Sequence, residues 1–314
     1  MNYNSKIAAG IVLYNPDSME RLEKCIHSVK QQVERIYIFD NSTDGRNNKS
    51  IISQLGGVYL SENGNVGIAT ALNEIIRCAK RDGYEWVITM DQDSILPSKL
   101  VESYSEAMRD TKIGMICPQV IDKRRSYMQP VTYPEKEYVE FCITSASCTS
   151  IKIWEKLGGF DEWLFVDLVD NEYCKRLIES GYKILRLNAY VLDQEFGKII
   201  PKSEREQRFW VKLSSILHNK NIAKLSYKKY VSAIRVYFTC RNIIYVNRKL
   251  SRYGKTAYKD NYNCNSYCGF LISFVLPSIL RADKKGEVIK ASIKGTFDGL
   301  TRSVKPWNAP ISER

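Results

Sequence analysis

The feature that most narrows the fold is an alternation. Four short apolar runs, KIAAGIVLY, RIYIFD, GVYLSE and WVITMD, fall within the first 91 residues. Apolar runs of this length predict buried strands. Between the first two lies SMERLEKCIHSVKQQ, whose Met19, Leu22, Cys25, Ile26 and Val29 are at helical spacing behind Ser18 as a cap. NSTDG reads as a turn after the second run. Between the last two lies NVGIATALNEIIRCAKRDG, a helix stopped at Gly83. Strands alternating with helices predict right-handed crossovers and a mainly parallel sheet, an α/β class. Ligands of such sheets bind beyond the carboxyl ends of the strands. Asp40, Asn41, Glu62, Asn63, Asp91 and Asp93 all fall at those ends.

The pattern continues with a helix near 97–109 and a strand, GMICPQV. A looser β-rich stretch over 122–145 follows. FVDLVDNEYCKRLIESGYKILRL then predicts a helix stopped at Gly181 and a further strand. After residue 198 the sequence turns helical, basic and Tyr-rich, so an α/β domain over 1–197 and an appended region over 198–314 are expected. The charge divides at the same place: residues 1–197 hold 23 Lys and Arg against 28 Asp and Glu, and residues 198–314 hold 24 against 7. Such asymmetry predicts an anionic surface as partner of the C-terminal part, a membrane or a nucleic acid. YCGFLISFVLPSIL (267–280) is apolar but short of the roughly 20 residues that span a bilayer, so it reads as a buried or interfacial helix.

Nine scattered cysteines without a CxxC pair, and no basic-then-apolar leader, predict reduced, mostly buried thiols. Two distant histidines, His27 and His218, argue against structural zinc. No G-x-G-x-x-G follows the first strand, which disfavours a dinucleotide-binding dehydrogenase.

Within DQD, Asp91 and Asp93 are two residues apart and project to one side of an extended chain. Two carboxylates so placed suit a hard divalent cation shared with substrate phosphates.

The segments AAGIVLYNPD, IFDNSTDG, ENGNVGIATALNEII, WVITMDQDSIL, LGGFDEWLFVDLVDNEYCKRLIESGY and RNIIYVNRK occur in that order. Together they resemble the inverting family-two glycosyltransferases of GT-A fold, and within them bacterial rhamnosyltransferases of O-antigen and capsule assembly. The resemblance covers about residues 6–305. It implies a Rossmann-like nucleotide-binding half with a basic helical C-terminal region. It implies Asp40, Asn41, Asn65, Gly67 and Asp91 at the donor nucleotide, and Asp91 and Asp93 at Mg²⁺ or Mn²⁺. Asp170 is implied as the catalytic base, with Asp167 and Glu172 in reserve. Arg176 is implied as a partner of the acidic cluster, and Phe160 and Asp161 as shaping the acceptor side.

Two departures stand out. Val169 precedes the base where many relatives have an acid, and Gln194 occupies the place of a histidine, which shifts metal preference toward Mg²⁺. The resemblance further implies a dTDP- or UDP-sugar donor and a polyprenyl-diphosphate-linked acceptor, with no nucleic acid. The protein would be cytoplasmic and attached to the inner face of the membrane. Arg235, Arg241, Arg248, Lys249 and Arg252, with Tyr230, Tyr237, Phe238 and Tyr245, are expected to face lipid. L-Rhamnose is the expected sugar, with a UDP-hexose or galactofuranose donor as the rival. A sugar-nucleotidyltransferase is disfavoured by the lack of a Gly-rich basic phosphate loop. A nucleic-acid-binding role is disfavoured by the lack of a stacking motif.

Overall fold

β1 (Ile7–Leu13) is almost wholly apolar and buried, which places it inside a sheet rather than at an edge. It pairs in parallel with β2 (Ile36–Asp40) and β4 (Trp86–Asp91), and β3 (Val58–Leu60) adds in parallel to β2. Beyond β4 come β5 (Ile113–Ile121), β6 (Lys136–Val139), β7 (Ser147–Ser150) and β8 (Lys183–Asp193). This computed structural model describes residues 6–310 except 44–47, 63, 126, 195, 196, 198 and 219. Asn63, expected at a strand end, lies outside the described residues. The eight strands run in the order β3-β2-β1-β4-β7-β5-β8-β6. β7 is antiparallel to both its neighbours and β6 is antiparallel to β8, while the other pairings are parallel. The sheet is therefore mixed and mainly parallel, as the alternation implies.

One face of the sheet is covered by α1 (Met19–Lys30) and α4 (Leu100–Ala107), which bury Leu22, Ile26, Leu100 and Tyr104. Ser18 caps α1 by accepting from the Arg21 amide. The other face is covered by α3 (Ile68–Arg81), α5 (Ile151–Leu157) and α6 (Val169–Glu179). A short helix, α2 (Asn48–Gln54), stands between β2 and β3. It is absent from the sequence reading because only Asn48 and Ile52 are buried, too few positions to show a period.

The C-terminal part begins with a hairpin of β9 (Ile199–Pro201) and β10 (Tyr227–Lys229), which encloses α7 (Glu204–Ile216) and α8 (Lys220–Ala223). Then come α9 (Ala233–Lys249), α10 (Thr256–Tyr262), α11 (Tyr267–Phe270), a π turn over Leu271–Val275, α12 (Leu276–Arg281) and α13 (Lys285–Thr301). α9 does not face outward as expected. Its Val236, Cys240, Ile243, Ile244 and Val246 join the apolar cluster shared with α3, α5 and α6. Arg241 is buried, and Lys249 lies in an ion-pair network with Asp161 and Glu172. Arg248 donates to the carbonyls of Gly299 and Leu300. The basic residues of α9 are thus spent on the protein's own acids and carbonyls, and α13 covers its outer side. α13 approaches so closely that a Cβ at Gly295 would lie 2.3 Å from the Tyr237 carbonyl oxygen, and one at Gly299 2.6 Å from that of Arg241.

One stretch among the described residues, Thr256–Arg281, is long and apolar enough by length and composition to cross a membrane, longer than the segment the sequence singles out. Asn263 interrupts it in the left-handed region, at φ 50°. The unbroken part, from Tyr267 to Arg281, is about 22 Å long at 1.5 Å per residue, against a hydrocarbon core of about 30 Å. Nine free cysteines are present, seven of them buried.

Candidate active site

The carboxyl ends of β2 and β4 each carry a carboxylate, Asp40 and Asp91. Asp40 closes β2 and is nearly inaccessible. It accepts from the Ser42 amide at 3.1 Å, the Asn48 side-chain amide at 3.0 Å and the Tyr59 hydroxyl at 3.1 Å. Among the described residues these three donors take up most of the roughly four lone-pair sites a carboxylate offers. Asn41 accepts from the Val66 amide at 2.7 Å, and Asn65 from the Gly67 amide at 3.0 Å. These bonds shape the loop that enters α3.

Gly67 is required there for a reason other than the expected one. Its φ is +87°, and a Cβ would meet the Phe165 carbonyl oxygen at 2.8 Å. The Ile68 amide donates to that same carbonyl. The close approach at this glycine is made by the protein's own loop.

Asp91 ends β4 and lines a cleft of about 480 Å³ together with Asp167, Asp170, Gln194, Arg235 and Tyr262. Burial raises its pKa to about 6, and the charge of Asp93 pushes the same way. The Gln194 amide donates to its carboxylate. Gln194, one residue past β8, is itself buried, and its carbonyl oxygen has no hydrogen-bond partner among the described residues. Oxygen donors such as these and the Asp91 carboxylate are the kind a hard cation takes. Asp93 stands just outside the cleft lining, and its backbone carbonyl is held by Arg21 at 2.7 Å.

Asp170 lies in the first turn of α6 and lines the same cleft. It is half-buried by exposed area, but protein surrounds it closely. That burial lifts its pKa to about 7, aided by the neighbouring Asp167 charge and opposed by a bond from the Asn171 amide. Asp167 accepts from Arg235 at 2.5 Å. α10 completes this side: Asn261 bonds to Asn171 and lines the cleft beside Tyr262.

Phe160 and Asp161, expected to shape the acceptor side, and Glu172, a reserve base, lie away from the cleft lining, while Arg176 pairs with an acid as expected. Phe160 is buried against Tyr173, ring centroids 4.6 Å apart. Asp161 caps a short 3₁₀ turn and accepts from Lys249 at 2.6 Å and Tyr245 at 2.9 Å. Burial works against its ionisation, but Lys249 and Tyr245 outweigh it and hold its pKa low. Glu172 is fully buried between Lys249 and Arg176, so it is no reserve base. Arg176 is buried too, and also donates to the carbonyls of Leu157 and Gly159. The reason is shared: an i, i+4 pair, Glu172–Arg176, faces the helix underside while Asp170 faces the cleft.

Sequence reading missed how the loop before α6 is held. Phe165, Asp167 and Leu168 all have positive φ, near 60°, a costly conformation for side-chain-bearing residues. α9 fixes it. The Asn242 side-chain amide, fully buried, donates to the carbonyls of Leu164 at 2.8 Å, Val166 at 2.7 Å and Asp167 at 2.9 Å. Arg241 donates to the carbonyls of Trp163 and Leu164 and stacks 4.0 Å from the Trp163 ring centroid. The available signal was Arg241-Asn242 as adjacent polar residues inside an apolar helix, which must find partners when buried.

Comparison with known proteins adds the lineage. Residues 9–130 match the family described as Glycosyl transferase family 2. The matched stretch holds Asp40, Asn65, Gly67, Asp91 and Asp93, whereas Asp170 and Gln194 come from beyond it. The chain is 30% identical over 194 residues to the dTDP-rhamnosyl transferase RfbF of Shigella flexneri, a match covering 57% of this chain. It spans 65% of that relative's length. Among solved structures it is similar to GalNAc-T7, crystallised with UDP, GalNAc and Mn²⁺, at a TM-score of 0.50 and 14% identity. That match covers 86% of this chain and 56% of the other. It establishes a shared GT-A sheet architecture.

Proposed function

We propose that the protein is an inverting glycosyltransferase that moves L-rhamnose from dTDP-rhamnose to a lipid-linked saccharide during O-antigen or capsule assembly. The observation that carries the reading is one cleft into which Asp91 and Asp170, from different elements, both turn carboxylates of raised pKa. The sugar comes from the likeness to RfbF. In this reading residues 1–197 form the catalytic domain and residues 198–314 attach it to the inner membrane face.

The donor's nucleoside lies over the ends of β1 and β2, beside Asp40 and Asn41. Its diphosphate lies toward Asp91. A Mg²⁺ or Mn²⁺ ion would be held by Asp91 and Asp93, with Gln194 beside Asp91, and when bound would supply charge to offset the departing diphosphate. Arg235 stands across the cleft as a second cation for the same charge. Asp170 acts on the other reactant. It takes the proton of the acceptor hydroxyl as that oxygen bonds to the anomeric carbon. The bond from that carbon to the diphosphate breaks, and the configuration inverts. A base titrating near 7 is well matched to this task, since it is ionised at working pH yet basic enough to pull a hydroxyl proton.

A donor screen by thermal shift tests the reading. dTDP-rhamnose with Mg²⁺ or Mn²⁺ should raise the melting temperature more than UDP-sugars do, by mass action on the folded state. A larger rise with a UDP-hexose would move the assignment to the rival donor, and no rise with any sugar nucleotide would overturn it.

A further inference from the structure

α12 and α13 leave an apolar face uncovered. α13 turns Val288, Ser292, Gly295 and Gly299 inward. On its outer side Ile293, Phe297 and Leu300 are 65%, 64% and 58% exposed, in line along the helix. On the adjoining α11–α12 segment Ile272, Leu276 and Leu280 repeat every four residues and are also exposed. Soluble surfaces scatter such side chains singly, whereas two neighbouring helices here align six. Lys290 and Lys294 run along the flank of the α13 stripe, and Arg281, Lys284 and Lys285 sit at the turn between the helices. From 271 to 302 there are six basic side chains against three acidic.

We infer that the outer faces of α12 and α13 form one plane that lies in the headgroup region of an anionic bilayer, with the apolar stripes inserted and the lysines at the phosphates. The charge selects this occupant. A second copy paired through the same patch would set two basic surfaces against each other. An anionic lipid surface satisfies both the apolar and the basic parts. The inference rests on the lipid-linked acceptor of the proposed function for its purpose, but its observations are independent of the cleft. It also relocates the membrane contact from α9 to the helices that cover α9.

The test is co-sedimentation of the full chain with vesicles of phosphatidylcholine alone and of phosphatidylcholine mixed with phosphatidylglycerol. The protein should partition onto the mixed vesicles, more weakly as salt rises. Lys290→Gln with Lys294→Gln should lower that partition by about thirtyfold, at about 1 kcal/mol for each lysine. Ile293→Gln with Phe297→Gln should lower it by about a hundredfold. Both pairs of side chains are exposed, so circular dichroism and the nucleotide-induced thermal shift should stay as in the parent. Failure of the parent to bind either vesicle overturns the inference. So does a concentration-dependent dimer that the Ile293/Phe297 variant dissolves, because the face then belongs to a second copy. Vesicles without saccharide report nothing on transfer, so a negative result here leaves the donor assignment standing, and a failed donor screen leaves this one standing.

Discussion

Replacing Asp170 with Asn separates catalysis from folding in opposite directions. The carboxylate carries a pKa raised from 3.8 to about 7 because burial disfavours its charge. A raised value means that the stability contribution is present below pH 3.8 and is lost as pH climbs through about 7. At pH 8 the native state therefore holds an ion it would rather protonate. Three pKa units correspond to a ceiling of about 4 kcal/mol, and solvent in the cleft reduces this to about 1–2 kcal/mol. Asn keeps the volume and the acceptor for the Asn171 amide while removing the charge. The variant should match or exceed the parent in urea unfolding at pH 8, and that advantage should shrink to roughly a third at pH 5 and vanish only below about pH 3.8. Transfer should fall by about 10²–10⁴, the usual yield of a general base, with donor-induced thermal shift unchanged. In the parent, kcat/KM should rise with pH through about 7. A variant that turns over normally, or one that is inactive only because it unfolds, would refute the assignment.

Other perturbations follow from the same geometry. Asn242→Ala removes the donor to three loop carbonyls and should cost about 2–4 kcal/mol in urea unfolding, with kcat falling more than KM rises; unchanged kcat in the folded variant would make the clamp purely structural. Gln194→Ala removes the unpaired oxygen near Asp91 and should raise the metal concentration for half-maximal activity, read by titrating Mg²⁺ or Mn²⁺. Lys249→Met removes the cation of Asp161 and one of the two cations of buried Glu172, which keeps Arg176, and should cost about 2–4 kcal/mol, while leaving the donor-induced thermal shift intact in molecules that remain folded.

What the sequence made legible were the parts governed by local period and by strand ends. β1, β2, β4 and α3 are long, apolar and regularly patterned, so their identity and order could be read directly. Asp91 and Asp170 could be placed because strand termini and helix first turns have a defined exposure. Phe160, Asp161 and Glu172 could not. An acid near a candidate base looks the same in sequence whether it faces a cleft or a buried cation, and here the cation, Lys249, is 88 positions from Asp161. The same long-range pairing hid the true setting of α9: its positive charges suggested a lipid face, while their partners lie far off in sequence, around residues 161–172 and at the end of α13.

α9 joins the two functional proposals mechanically. Its inner side holds the loop of Asp167 through Arg241 and Asn242, and its outer side receives Gly295 and Gly299 of α13 at backbone contact. Two small residues four apart let helices approach without intervening side chains, and interiors so packed transmit displacement rather than absorb it. The proposed bilayer plane and the loop leading to Asp170 are then separated by two helices in direct backbone contact. The height of the cleft above the membrane would be set by that thickness and not by a flexible linker. An acceptor anchored in the same membrane would present its hydroxyl at a fixed height, and Asp170 would be held level with it.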